Sequence, residues 1–122
     1  MRVRHHALRL HVAPERLERT VVFYERLQGR ACERRLSLPE RGIEVAVVGA
    51  VIVLAGSDEA LAPVREARAV FFVDELDAML EILRENDAEV LHMPRPAAGG
   101  RNALIRHPDG LVVEYFEPAP SP

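Results

Sequence analysis

The sequence predicts an α+β fold of two βαβββ modules whose strands pair into a cupped, mixed β-sheet. Three observations carry that expectation. An alternating stretch is followed by an amphipathic helix and three short extended runs, the same order restarts halfway along, and Gly, Pro, Asn and Asp punctuate both halves at matching places. At 122 residues the chain is long enough to bury a core as a single domain, with module one over about residues 3–56 and module two over about 67–117.

In the first half, "RHHALRLHV" alternates, with His6, Leu8, Leu10 and Val12 on one face and His5, Ala7, Arg9 and His11 on the other. A helix is expected from near Pro14, because Leu17, Val21 and Tyr24 recur at i, i+4 and i+7, and Gly29 suits the left-handed residue that ends it. Phe23 and Tyr24 are both expected in the core. The runs "ACERRL", "GIEVAVVG" and "VIVLAG" then read as strands. In the second half "RAVFFV" is a strand, Asp74 is the expected N-cap, and Leu76, Met79, Leu80 and Leu83 form a helix stripe. Asn86 and Asp87 stand where Gly29 stood. "EVLHM", a loop "PRPAAGG", "RNALIRH", a "PDG" turn and "LVVEYF" complete the module, and "EPAPSP" is read as a frayed end. A ferredoxin-like arrangement has the same helix count but lacks three consecutive strands after each helix.

Composition narrows the function. Apolar residues make up 48 % and charged residues 29 %, with a formal charge of −3, which gives no reason to expect nucleic acid or an anionic membrane as partner. Every basic residue is Arg, so lysine chemistry is excluded. Cys32 is the one cysteine, so no intrachain disulfide forms, and neither a CxxC motif nor a long apolar run is present. A cytoplasmic protein is the expectation. The glycines match no phosphate-binding pattern.

The stretch "RHPDGLVVEYF" holds the most informative residue. After the turn, Val112, Glu114 and Phe116 share one face and Leu111, Val113 and Tyr115 the other. A carboxylate among apolar neighbours is either at a solvated edge or in a lined cavity with a partner.

"TVVFYERLQG", "FFVDELDAMLEIL" and "RHPDGLVVEY", in this order and spacing, resemble the vicinal oxygen chelate superfamily, the group of glyoxalases, bleomycin resistance proteins and extradiol dioxygenases. The resemblance runs from about His5 to Glu117. It implies a glyoxalase-like fold, a homodimer, and a divalent ion held by one side chain from the first and last strand of each module. On this sequence Glu114 matches the carboxylate ligand and His5 a histidine ligand, with His6 and His11 as competitors. The other two positions carry Val53 and Arg68. Valine has no lone pair and guanidinium is a permanent cation, so the resembled metal site is degraded. Arg68 is expected to take the ion's place by forking onto Glu114.

Two classes of function follow. The first is a metal-free cavity binding a small amphipathic molecule, with no cofactor. Val51, Val53, Val112 and Phe116 would line it, Glu114, Arg68, Arg9 and His5 would be its polar groups, and Arg101 and Asn102 would stand at its mouth. This resembles the drug-binding branch of the superfamily. The second is a lyase, isomerase or dioxygenase in which Zn, Ni, Mn or Fe is held by His5, Glu114 and a third ligand such as His107 or His92. His107 reads otherwise as a solvated turn residue. The small aromatic content, 5 % with no Trp, weighs against a large stacked-aromatic pocket.

Overall fold

The computed structural model describes residues 2–120; the last two residues of the tail read as a frayed end lie outside them. Among the described residues the order is β1 (Val3–Val12), α1 (Leu17–Gln28), β2 (Arg34–Leu38), β3 (Ile43–Val48), β4 (Val51–Ala55), α2 (Asp58–Leu61), β5 (Ala69–Val73), α3 (Leu76–Glu85), β6 (Glu89–Ala97), β7 (Gly100–Arg106) and β8 (Val112–Pro118). This is the expected α+β fold of two βαβββ modules. No helix among the described residues is long and apolar enough to cross a membrane.

The chain divides into two compact units, residues 7–66 and residues up to 6 together with 67 onward. The first residues of β1, up to His6, therefore belong with the second module and the remainder with the first.

In the first unit the strand order is β2-β3-β4-β1, with β1 parallel to β4 and the other pairs antiparallel. Helix α1 is preceded by a 3₁₀ turn over Pro14–Arg16 and ends at Gly29, whose φ of 65° is the left-handed value expected there. Its stripe of Leu17, Val21 and Tyr24 packs on Ala46, Val48, Val51 and Val53. The Gln28 amide ties helix to hairpin: Nε2 donates to the Val48 carbonyl at 2.9 Å and Oε1 accepts from the Ala50 N–H at 2.8 Å. Phe23 departs from expectation. It is 57 % exposed, because one residue before Tyr24 on a helix is turned about 100° away from the core stripe.

The segment joining the modules is itself structured. Ser57 caps α2 by accepting the Ala60 N–H, a 3₁₀ turn over Ala62–Val64 follows, and Leu61 is 1 % exposed. Leu61, Ala60 and Val64 pack with Ile43, Val45, Ile52 and Leu54. The face of β3 and β4 opposite α1 is thus covered by the connector.

In the second unit β5 is parallel to β8, and β8-β7-β6 are antiparallel neighbours. Leu76, Met79 and Leu80 of α3 pack on Val73, Ala103, Ile105, Val113 and Tyr115. Burying each of these larger side chains contributes roughly 1.5–3 kcal/mol. Asp87 takes the left-handed conformation, φ 67°, in the place of the earlier Gly29. Two local expectations are corrected. The loop "PRPAAGG" is mostly strand, since β6 runs to Ala97 against Gly100. The start of α3 is capped by Glu117 of β8, whose Oε1 accepts the Leu76 N–H at 2.8 Å, while Asp74 instead accepts the Arg2 N–H and pairs with Arg4. A carboxylate at a helix N-terminus is favourable from whichever strand it comes.

Candidate functional site

On the second unit's sheet, alternation sends Val113 and Tyr115 toward α3 and Val112, Glu114 and Phe116 to the opposite face, as the sequence indicated. Register then builds a row of side chains on that face. Phe72 lies opposite Phe116 in the parallel β5/β8 pair, and Asn102 lies opposite Phe116 in the antiparallel β7/β8 pair. The His5 ring stacks on Phe72 with centroids 4.2 Å apart and planes at 14°. Phe72 meets Phe116 edge-to-face at 5.8 Å.

Two residues before Phe116, half-buried Glu114 accepts a hydrogen bond from Asn102 Nδ2 at 3.0 Å. The other atom of that amide, Asn102 Oδ1, is buried and accepts no hydrogen bond among the described residues. A buried carbonyl left without a donor costs roughly 1–3 kcal/mol. Chemically the face offers acceptor oxygens and aromatic rings, with Arg106 on the same face opposite Val112.

The α3 side of the same strands is a separate cluster. Phe71 contacts His6, His107 and Tyr115, and His107 Nε2 lies 2.8 Å from the Tyr115 hydroxyl. Burial pushes the Tyr115 phenol up to about 12. Because the fold holds this phenol neutral above its ordinary value near 10, the stability it contributes is present below pH 10 and is lost as pH rises from 10 toward 12. Spectrophotometric titration is therefore expected to show a phenol ionising near pH 12 in the folded protein, and Tyr115→Phe to remove that step. Retention of the step in the variant would mean another phenol is responsible.

Of the residues expected at the site, His5, Asn102, Val112, Glu114 and Phe116 share one face of one unit. The others go elsewhere. Arg68 precedes β5; its backbone N–H donates to the Val112 carbonyl at 3.0 Å, and its exposed side chain makes no ion pair among the described residues, so the expected Arg68–Glu114 fork is not formed. An exposed arginine at a strand entrance gains little by ordering its long side chain. Arg101 is one residue out of phase with Asn102, on the α3 side, where Asp77 holds it at 3.1 Å with Glu117 at 3.9 Å. Arg9 Nη2 donates to the Val64 carbonyl of the connector at 3.3 Å. Val51 and Val53 belong to the core under α1, and the opposite face of β4 carries Ile52 and Leu54, which donate nothing to a metal either. Of the competing histidines, His6 lies with Phe71 and His11 falls in the other unit.

Each third ligand named for a metal is engaged with another group. Among the described residues no three His, Cys, Asp or Glu side chains come together as one ion requires. His107 is engaged with Tyr115 on the α3 side, and the His92 Nδ1–H donates to the Met93 carbonyl at 3.1 Å. Neither therefore joins His5 and Glu114 as a third donor among the described residues.

Phe72 and the connector were not singled out from the sequence. Phe72 becomes visible once β5 is set parallel to β8, and Ser57 followed by Asp58 and Glu59 is an N-cap signal for α2. A concavity of about 710 Å³ lies along α1, lined by Glu18, Arg19, Val22, Phe23, Arg26 and Leu27; none of the expected site residues is among them.

The architecture defines an α+β protein of glyoxalase-like fold. Methylmalonyl-CoA epimerase from Mycobacterium tuberculosis has this fold at 22 % identity and a TM-score of 0.67, over 93 % of this chain and 87 % of that one. The Streptomyces coelicolor epimerase, solved with 2-nitronate-propionyl-CoA, gives a TM-score of 0.62 at 20 % identity over 98 % and 99 % of the two chains. The chain belongs to the family of an uncharacterised protein from Methanosarcina mazei, with 38 % identity over 100 % of this chain and 98 % of that one, and a TM-score of 0.88. No family model and no curated protein matches it.

Proposed function

We propose that the protein binds a small amphipathic molecule on the face of the second module opposite α3, without a metal ion. The observation that carries this reading is the cross-strand row of His5, Phe72, Phe116 and Asn102 beside Glu114, with its unsatisfied buried carbonyl. Apolar walls with a few convergent polar groups are what small-molecule sites are made of. The Asn102 amide is a polar partner of Glu114 in this reading, where Arg68 was expected. A cytoplasmic homodimer belongs to the same reading, and sedimentation equilibrium tests the dimer.

Metal analysis of the purified protein, followed by thermal melting with Zn²⁺, Ni²⁺, Mn²⁺ and Fe²⁺, tests the metal-free reading. The expected result is no stoichiometric metal and shifts under about 1 °C, equal in the wild type and in Glu114→Ala. Stoichiometric metal, or a shift of several degrees abolished by Glu114→Ala, would overturn it and return the metal-dependent lyase, isomerase or dioxygenase to first place.

A further inference from the structure

We infer that the outward faces of α1 and α3 are the two halves of an interface between copies of this chain, with α1 of one copy receiving α3 of another. Such a contact underlies the homodimer proposed above and is independent of the ligand-binding face. Helix α1 turns Leu17, Val21 and Tyr24 to its sheet and still leaves Val22, Phe23 and Leu27 exposed, where an ordinary amphipathic helix is polar. The concavity along it has a regular origin. Glu18, Val22 and Arg26 form one row at i, i+4 and i+8, and Arg19, Phe23 and Leu27 form the next. The trough between two such rows is the groove that receives a row of another helix.

Charge decides which helix fits. In α1 the charged side chains are Glu18, Arg19, Glu25 and Arg26. Glu18 is held by Arg35 and Glu25 accepts the Cys32 N–H, which leaves Arg19 and Arg26 without an ion pair among the described residues. In α3 they are Asp77, Glu81, Arg84 and Glu85. Asp77 is held by Arg101 and Arg84 donates to the Met93 sulfur, which leaves Glu81 and Glu85 without one. Beside those acids Ala78 and Ile82 make an i, i+4 row on the side away from Leu76, Met79 and Leu80, with Ile82 exposed. One outward face is thus apolar with spare positive charge, and the other apolar with spare negative charge. Two α1 helices set antiparallel about Val22 and Phe23 would instead bring Arg19 against Arg26. Both faces are exposed within one chain, so the matching helix comes from a second copy. The contact is made twice where a pair closes on a two-fold axis and once per link where it does not. Its small size puts the dissociation constant between about 10 μM and 1 mM, so unfolding at low micromolar protein reports the single chain.

Sedimentation equilibrium of the full-length protein at concentrations up to roughly 1 mM tests the interface. The wild type is expected to self-associate. Arg19→Glu with Arg26→Glu, and separately Glu81→Arg with Glu85→Arg, are each expected to weaken association at least about 10-fold. An equimolar mixture of the two double variants should return to within about 3-fold of the wild type, because each then meets opposite charge on the other's helices. All four side chains are exposed, so both variants keep the fold, which circular dichroism verifies. Association that the charge reversals leave unchanged would overturn this interface and leave a homodimer built elsewhere. Loss of association that the mixture does not restore would also count against it decisively. A wild type that is monomeric throughout would end both the interface and the homodimer, with the ligand-binding reading still standing.

Discussion

Val53→Glu is expected to destabilise the protein by more than about 4 kcal/mol, a large part of the 5–15 kcal/mol that holds a domain of this kind together. In the alignment implied by the resemblance, Val53 stands where a metal-binding carboxylate would be, so Glu there reads as a repair. The structure says otherwise. Val53 is fully buried between Val21 of α1 and its sheet neighbours, with Ala46 and Leu10 opposite it in register. A carboxylate there has neither water nor a cation, and it costs several kcal/mol even after taking up a proton. The contrast is Phe23→Glu, on the exposed side of α1, which should shift stability by no more than about 0.5 kcal/mol. Urea unfolding of both variants checks the pair. A Val53→Glu protein within 1 kcal/mol of wild type would mean that β4 faces the other way.

Leu61→Ala is the second large effect, expected at about 2–5 kcal/mol, from a residue that a reader of the sequence would place in a linker. Leu61 is 1 % exposed and fills the space between Ile43 and Leu54 on the sheet face opposite α1. Truncation there removes apolar burial and leaves a cavity that the short α2 helix, anchored by its Ser57 cap, cannot fully close. Calorimetric melting and urea unfolding give the magnitude. A change under about 0.5 kcal/mol would show that the connector only bridges the modules, and the face of β3 and β4 it covers would then be a second place to look for a ligand.

These two residues show where sequence reasoning reached and where it stopped. The helix stripes, the turn residues and the alternation of the last strand were legible because each depends on the chain within a few residues. That alternation separated Glu114 from Tyr115 and proved right. The same logic misplaced Val53, since the apolar run "VIVLAG" carries no alternation to say which face is which. Arg68 and Arg101 were assigned by position in a motif. Whether a long guanidinium reaches a given carboxylate depends on strand ends and competing acids, and Asp77 and Glu117 took Arg101. Phe23 was misjudged by one helical step.

By itself the sequence determined the order of elements, the repeat of βαβββ, and the face on which Glu114 lies. Only the tertiary structure decided that Asn102 donates a hydrogen bond to it, that Phe72, Phe116 and His5 share its face, that Glu117 caps α3, and that the connector closes the sheet face opposite α1. The division has a physical cause. Periodicity and capping chemistry act within one or two turns of chain, whereas neighbours on adjacent strands are chosen by register, which hydrogen-bond ladders between segments far apart in sequence impose all at once.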